Sequence, residues 1–153
     1  MAHRDRGPVL ERHLDEARLT LPRAARALLG EQVELCADLA GCILLSPTEP
    51  WRERLSALLQ ASAHNHHAAE LFRLLAASAT TAEVDGRGRL TIPQLHLQWA
   101  GICPDRGVIV VLLAGGVEVW EPRRLAMHLA RANRQIRELD SRVLREQLAL
   151  IEE

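Results

Sequence analysis

Apolar residues in this chain come in short runs separated by turn formers, and the sequence of runs occurs twice. Residues 8–13 read as a short strand, followed by the turn Leu14-Asp-Glu-Ala17 and a second strand over residues 18–21. Pro22 is placed to open a helix at its first position, where a missing N–H loses nothing, and Gly30 to end it. Between them, Arg23-Ala-Ala-Arg-Ala-Leu-Leu29 is a run of strong helix formers. Residues 33–36 and 42–45 then bracket Ala37 to Gly41 as a predicted hairpin.

The second copy keeps this order. Residues 82–84 lead into Asp85-Gly-Arg-Gly88, a turn signal because glycine tolerates positive φ. Arg89-Leu-Thr-Ile-Pro93 repeats Arg18-Leu-Thr-Leu-Pro22, and Gly101 follows Pro93 at the distance at which Gly30 follows Pro22. Residues 108–113 and 117–120, joined through Ala114-Gly-Gly116, form the clearest predicted hairpin. Each copy is therefore strand, turn, strand, helix, hairpin. A unit used twice points to a binder with two similar surfaces more than to an enzyme with one site.

Helical periodicity follows each copy. Residues 47–60 carry Trp51, Leu55, Leu58 and Leu59 at helical spacing, and a second helix is predicted over 67–77. After the second copy, Leu125, Leu129, Ala132, Ile136, Leu139 and Val143 alternate spacings of four and three along 123–153. That seam fits either a partner helix or the chain's own core. The predicted divisions are residues 6–60, a helical connector 61–78, residues 79–122 and a C-terminal helix 123–153.

Composition narrows the function classes. The chain has 153 residues, 48% hydrophobic and 25% charged, with one Phe, three Trp and no Tyr, so the core is aliphatic. A net charge of −1 gives no global attraction to nucleic acid, and any such binding must come from local patches. Cys36, Cys42 and Cys103 have no CxxC spacing and read as small buried hydrophobes in a reducing compartment, not as a zinc site. No apolar run approaches a bilayer span and no leader-like segment opens the chain, which implies a cytoplasmic protein. His64, His66 and His67 cluster, but no cysteine or acid stands at metal-ligand spacing, and a polar connector accounts for them. No phosphate loop, nucleophile elbow or carboxylate pair is present to suggest an enzyme, a small-molecule substrate or a cofactor.

The ordered words Val84-Asp-Gly-Arg-Gly-Arg-Leu-Thr-Ile-Pro93, Trp99-Ala-Gly101 and Val117-Glu-Val-Trp-Glu-Pro122 resemble the second half of MraZ proteins. These are bacterial transcriptional regulators of the division and cell-wall gene cluster. Arg6-Gly7, Arg18-Leu-Thr-Leu-Pro22, Arg26, Gly41-Cys-Ile-Leu-Leu45 and Pro47 with Trp51 match the first half. The resemblance covers residues 6–125. It implies an α+β chain of two tandem AbrB-like swapped-hairpin β-barrel modules, a ring-shaped homo-oligomer, and binding to direct repeats of double-stranded promoter DNA in the nucleoid.

The family's modules carry a D-x-x-x-R loop, with a K-G-R core in the DNA-reading first module. The second module here keeps it as Asp85-Gly-Arg-Gly-Arg89, with Asp85, Gly86 and Gly88 as loop-forming residues. In the first, the loop has become Asp15-Glu-Ala17, and the family's Asp falls on Leu14 or, with a turn one residue shorter, on Asp15. By the same resemblance the DNA-contacting candidates are Arg6, Arg18, Arg23, Arg26, Arg87 and Arg89. Arg18 leads them, and its alternative role is an ion pair with Asp15 or Glu11. The rival functional reading is an oligomeric protein-interaction scaffold without DNA binding; an antitoxin of the AbrB type is a third.

Overall fold

A computed structural model describes residues 7–138 and Ala149. Candidate Arg6, the seam positions Leu139 and Val143, and the side chain of Ile136 lie outside the described residues. The chain is α+β. Its first half comprises β1 (Val9–His13), β2 (Arg18–Thr20), α1 (Arg23–Leu29), β3 (Gln32–Ala37) and β4 (Ile43–Pro47). Helices α2 (Thr48–Ala61) and α3 (His66–Ser78) follow, and then β5 (Thr80–Glu83), β6 (Arg89–Thr91), α4 (Gln94–Ala100), β7 (Gly107–Leu112) and β8 (Val117–Trp120). Helix α5 is described over Pro122–Glu138. The chain divides at Pro122 into two compact units, the second being the segment from Arg123 onward.

Within the first unit the two copies are interleaved. Six strands form one antiparallel sheet in the order β1-β7-β8-β4-β3-β5, while β2 and β6 pair as a separate ribbon. The order reads the same from either end when the halves are exchanged. Each half gives its first strand to the other's hairpin: β1 lies on β7, and β5 on β3. The registers make the relation quantitative, because Leu10 opposes Val110 as Leu35 opposes Thr80. Leu19 faces Leu90 at the centre of the ribbon, and both are fully buried.

Alternation along the strands builds two apolar layers, as a period of two requires. Val33 and Leu35 of β3 and Ile43 and Leu45 of β4 join Leu14, Leu19, Leu90, Val110 and Val119 in the main core. Cys36 and Leu44 point to the opposite face, where Trp51 of α2 and Leu75 of α3 cover them. Asn65 caps α3, its Oδ1 accepting from the backbone N–H groups of His67 (2.9 Å) and Ala68 (3.2 Å). The neighbouring histidines therefore lie at an exposed helix start.

Two sequence expectations are corrected. Pro22 and Pro93 stand one residue before α1 and α4, in extended geometry (ψ 151° in both). Their carbonyls still accept the first helical bonds, from Arg26 N (3.0 Å) and Leu97 N (3.1 Å). Fixed φ thus serves the strand-to-helix corner. Cys36 and Cys42 are buried but Cys103, in the loop after α4, is exposed. His96 is only 1% exposed, and its Nε2 lies 2.7 Å from the Ser78 carbonyl oxygen.

In the second unit, α5 carries Leu125, Leu129 and Ala132 along one seam, and Leu129 is more than half exposed.

Candidate nucleic-acid interface

The two β-turns that join the first strands of each half differ in length and in charge. In the second, the Asp85 Oδ1 accepts the backbone N–H of Arg87 (2.8 Å) and of Arg89 (2.9 Å), while Oδ2 accepts Arg89 Nε (2.9 Å). Those donors, the Arg89 backbone N–H foremost, hold the Asp85 carboxyl below its ordinary value of 3.8. Gly88 closes the turn at φ +78°, with its N–H on the Asp85 carbonyl (3.0 Å). Gly86 has no positive φ, and a Cβ added there would meet nothing within 4 Å. Only Gly88 needs to be glycine here.

The first turn is one residue shorter. Asp15 and Arg18 exchange backbone hydrogen bonds of 3.1 and 2.9 Å around Glu16 and Ala17, which makes Asp15, not Leu14, the counterpart of Asp85. Leu14 is instead fully buried. Glu16 (φ 49°) and Ala17 (φ 64°) both occupy the left-handed region, where a non-glycine residue costs about 1–2 kcal/mol. A clamp from the second half offsets this strain. Glu16 N donates to Asp105 Oδ1 (3.0 Å), Ala17 N to the Pro104 carbonyl (2.9 Å) and Leu14 N to the Arg106 carbonyl (2.9 Å).

The charge at each turn follows from this geometry. Arg18 Nη2 lies 3.4 Å from Asp15 Oδ2 and 3.6 Å from Glu16 Oε2, so one guanidinium is shared by two acids. Both acids are about 80% exposed while Arg18 is one-third exposed; the turn presents negative charge outward. Glu11 is not the partner. Arg89 is likewise neutralised, by Asp85.

Three other arginines come together. Arg23 and Arg26 of α1 and Arg87 of the second turn line one shallow groove with Thr20, Leu21 and Ala27. The first two are three residues apart on one helix face, whereas Arg87 is brought in from the other half. Pairing of β2 with β6 does this, seating Leu21 N on the Gly88 carbonyl at 2.9 Å. The bare α-carbon of Gly88 lets the Arg26 side chain lie against it, since a Cβ there would stand 2.8–2.9 Å from its Nη1, Cδ and Cζ. Among the described residues none of these three guanidinium groups has a carboxylate within 4.0 Å, and no acid lines the groove. The result is a cationic concavity built from both halves.

Sequence reasoning named these arginines singly but not their convergence, which depends on a ribbon pairing between distant segments. It also missed a cluster of Asp38, Cys42 and Glu118, whose donor atoms lie within 4.8 Å of one another. The only local signal for that cluster was the Asp-x-x-x-Cys spacing across a turn. No helix among the described residues is long and apolar enough to cross a membrane.

No protein-family model matches the chain. Curated relatives do. Transcriptional regulator MraZ of Lachnoclostridium phytofermentans is 31% identical over 109 residues, 71% of this chain and 75% of that protein. The protein of the same name from Corynebacterium kroppenstedtii is 34% identical over 106 residues, 69% of this chain and 73% of its own length. That from Thioalkalivibrio sulfidiphilus is 30% identical over 110 residues, covering 69% and 72%. The aligned length takes in most of the interleaved unit in each case, and the chain belongs to the MraZ family of transcriptional regulators.

Proposed function

We propose that this chain is a DNA-binding regulator that seats Arg23, Arg26 and Arg87 on the phosphates of double-stranded promoter repeats. The observation that carries this reading is charge availability. Arg18 and Arg89 are spent on the acids of their own turns, while among the described residues the three groove arginines have no carboxylate within 4.0 Å, although Glu31 and Asp85 line the neighbouring cavity on the other side of Arg26. Phosphate neutralisation supplies most of the affinity of such contacts. Arg18 and Arg89 then act on turn shape, and Arg6, outside the described residues, is a further candidate contact. The interleaved halves support a tandem AbrB-like swapped-hairpin architecture.

Three cations are a modest patch for one subunit. A homo-oligomer working on repeated DNA multiplies such weak contacts through effective concentration. A candidate contact surface for self-association exists: exposed Leu95 and Trp99 border an apolar groove formed with Ala37, Leu74 and Ala77. On this reading the protein works on the nucleoid in the cytoplasm, in control of a division and cell-wall gene cluster, with neither a catalytic site nor a small-molecule substrate.

The acidic first turn favours the second reading, an oligomeric scaffold without DNA binding. Fluorescence anisotropy on the DNA upstream of the chain's own gene, across a salt series, separates the two. Each of Arg23→Ala, Arg26→Ala and Arg87→Ala should weaken binding and lower the log–log salt slope by about one, while Arg18→Ala changes affinity less. Absence of binding by the wild-type chain at low salt would establish the scaffold instead.

A further inference from the structure

Away from the arginine groove, three donor groups of different chemistry converge from separate segments. Asp38 and Cys42 flank the turn between β3 and β4, and Glu118 stands on β8. The Cys42 sulfur and one carboxylate oxygen from each acid all lie within 4.8 Å of one another, with Cys42 Sγ 4.0 Å from Asp38 Oδ2. Cys42 is wholly buried and the two acids are half-buried.

The backbone fixes all three. Asp38 N donates to the Cys42 carbonyl (3.0 Å), Gly41 N to the Asp38 carbonyl (2.9 Å) and Ala40 N to Asp38 Oδ2 (3.1 Å). The turn is tightened by Gly41 at φ +97°. On the other side, Leu44 pairs with Glu118 across β4 and β8, which holds that carboxylate beside the turn. Trp120 Nε1 donates to Glu118 Oε1 at 3.0 Å, the kind of outer contact that orients a ligating carboxylate.

The electrostatics call for a cation. Two carboxylates share a half-buried space, and among the described residues no arginine or histidine nitrogen lies within 4.0 Å of either. A positive charge placed among the three donors would relieve the repulsion between the two carboxylates and engage the buried sulfur. For three donors this close there is always a point within about 2.8 Å of all of them. Zinc bonds are about 2.0–2.3 Å, so side-chain shifts of roughly half an ångström suffice.

We propose that Cys42, Asp38 and Glu118 form a binding site for one divalent cation of the zinc class. Sulfur with two carboxylate oxygens favours a borderline-soft ion over calcium or magnesium. Three protein ligands leave a fourth position to water. On binding, the thiol S–H bond breaks, the sulfur–metal bond forms, and the proton leaves to solvent. Asp38 and Cys42 belong to the first half and Glu118 to the second, so the bound ion staples the central β4–β8 seam.

Cobalt titration of the chelator-treated full-length chain tests this. One Co²⁺ per chain should bind with a thiolate-to-cobalt charge-transfer band in the near ultraviolet. The band should vanish in Cys42→Ser and persist in Cys36→Ser and Cys103→Ser. Asp38→Asn and Glu118→Gln should each weaken affinity by about tenfold or more, and should abolish the rise in melting temperature that Zn²⁺ gives the wild-type chain. A band that survives Cys42→Ser, or that disappears with Cys103, overturns the proposal, as does wild-type affinity in both carboxylate variants. If Cys42→Ser does not fold, by circular dichroism, those two variants decide alone.

Discussion

Asp85 concentrates three hydrogen bonds on one exposed carboxylate, two from backbone N–H groups and one from the Arg89 guanidinium. The folded carboxyl therefore holds its proton more weakly than the unfolded one, whose ordinary value is 3.8. Its contribution to stability is complete above that value and is lost as pH falls through the lower folded value. The gap in urea-melt stability between the wild-type chain and Asp85→Asn should be full near neutral pH and should narrow below pH 3.8. A gap that stays constant into acid would mean that ionisation of Asp85 contributes nothing. Gly88 is the other residue on which this turn depends. Gly88→Ala places a Cβ at φ +78° and against the Arg26 side chain. Arg26 is flexible and can yield, so the main cost is the left-handed backbone, about 1–2 kcal/mol. Thermal melts should show that loss, and on the proposed DNA-binding reading the affinity should fall with it as Arg26 is pushed aside.

At the scale of elements, the first turn shows what the sequence does and does not disclose. The strands on either side, the helices and both hairpins are legible from apolar alternation, proline and glycine. The conformation of the turn is not. A two-residue turn with both residues at positive φ ordinarily takes Asn-Gly, and Glu16-Ala17 gives no such signal. It holds because the loop at Pro104, Asp105 and Arg106 grips it from the other half, a contact 89 residues away along the chain for Glu16 and Asp105. Local propensity and tertiary grip are in conflict there, and grip wins. Ala17→Gly should accordingly stabilise the fold by about 0.5–1 kcal/mol, because relief of strain exceeds the added entropy of the unfolded chain. A lower melting temperature in that variant would show that the Ala17 side chain, which packs on the core, matters more than its backbone. The arginine groove was illegible for the same reason: α1 can be read locally, but its meeting with Arg87 cannot.

For the molecule as a whole, the doubled phrase around Arg18 and Arg89 was a sound guide to the repeated strands and a poor one to symmetry of charge. Both copies build equivalent strands, yet one turn ends in two exposed acids and the other in an unpaired arginine. An apolar surface is also left exposed at α4. Leu95 is 61% exposed and Trp99 39%, an arrangement that leaves large side chains in water unless another surface covers them. If that surface mediates self-association, Leu95→Asp should reduce the molar mass seen by light scattering while the circular dichroism spectrum is kept. An unchanged mass assigns assembly to another face.

The exchange of first strands between the halves also bears on how the protein is made. While β1 leaves the ribosome its partner β7 has not been translated, and β3 must wait for β5 before its outer edge is covered. Closure of the sheet is thus deferred until nearly the whole interleaved unit has emerged. In that interval β1 of one nascent chain and β7 of a neighbour on the same message present the same complementary edges that later meet within one chain. Chains made close together can therefore trade strands before either is finished, and the balance between self-closure and exchange is set by how quickly synthesis reaches β7.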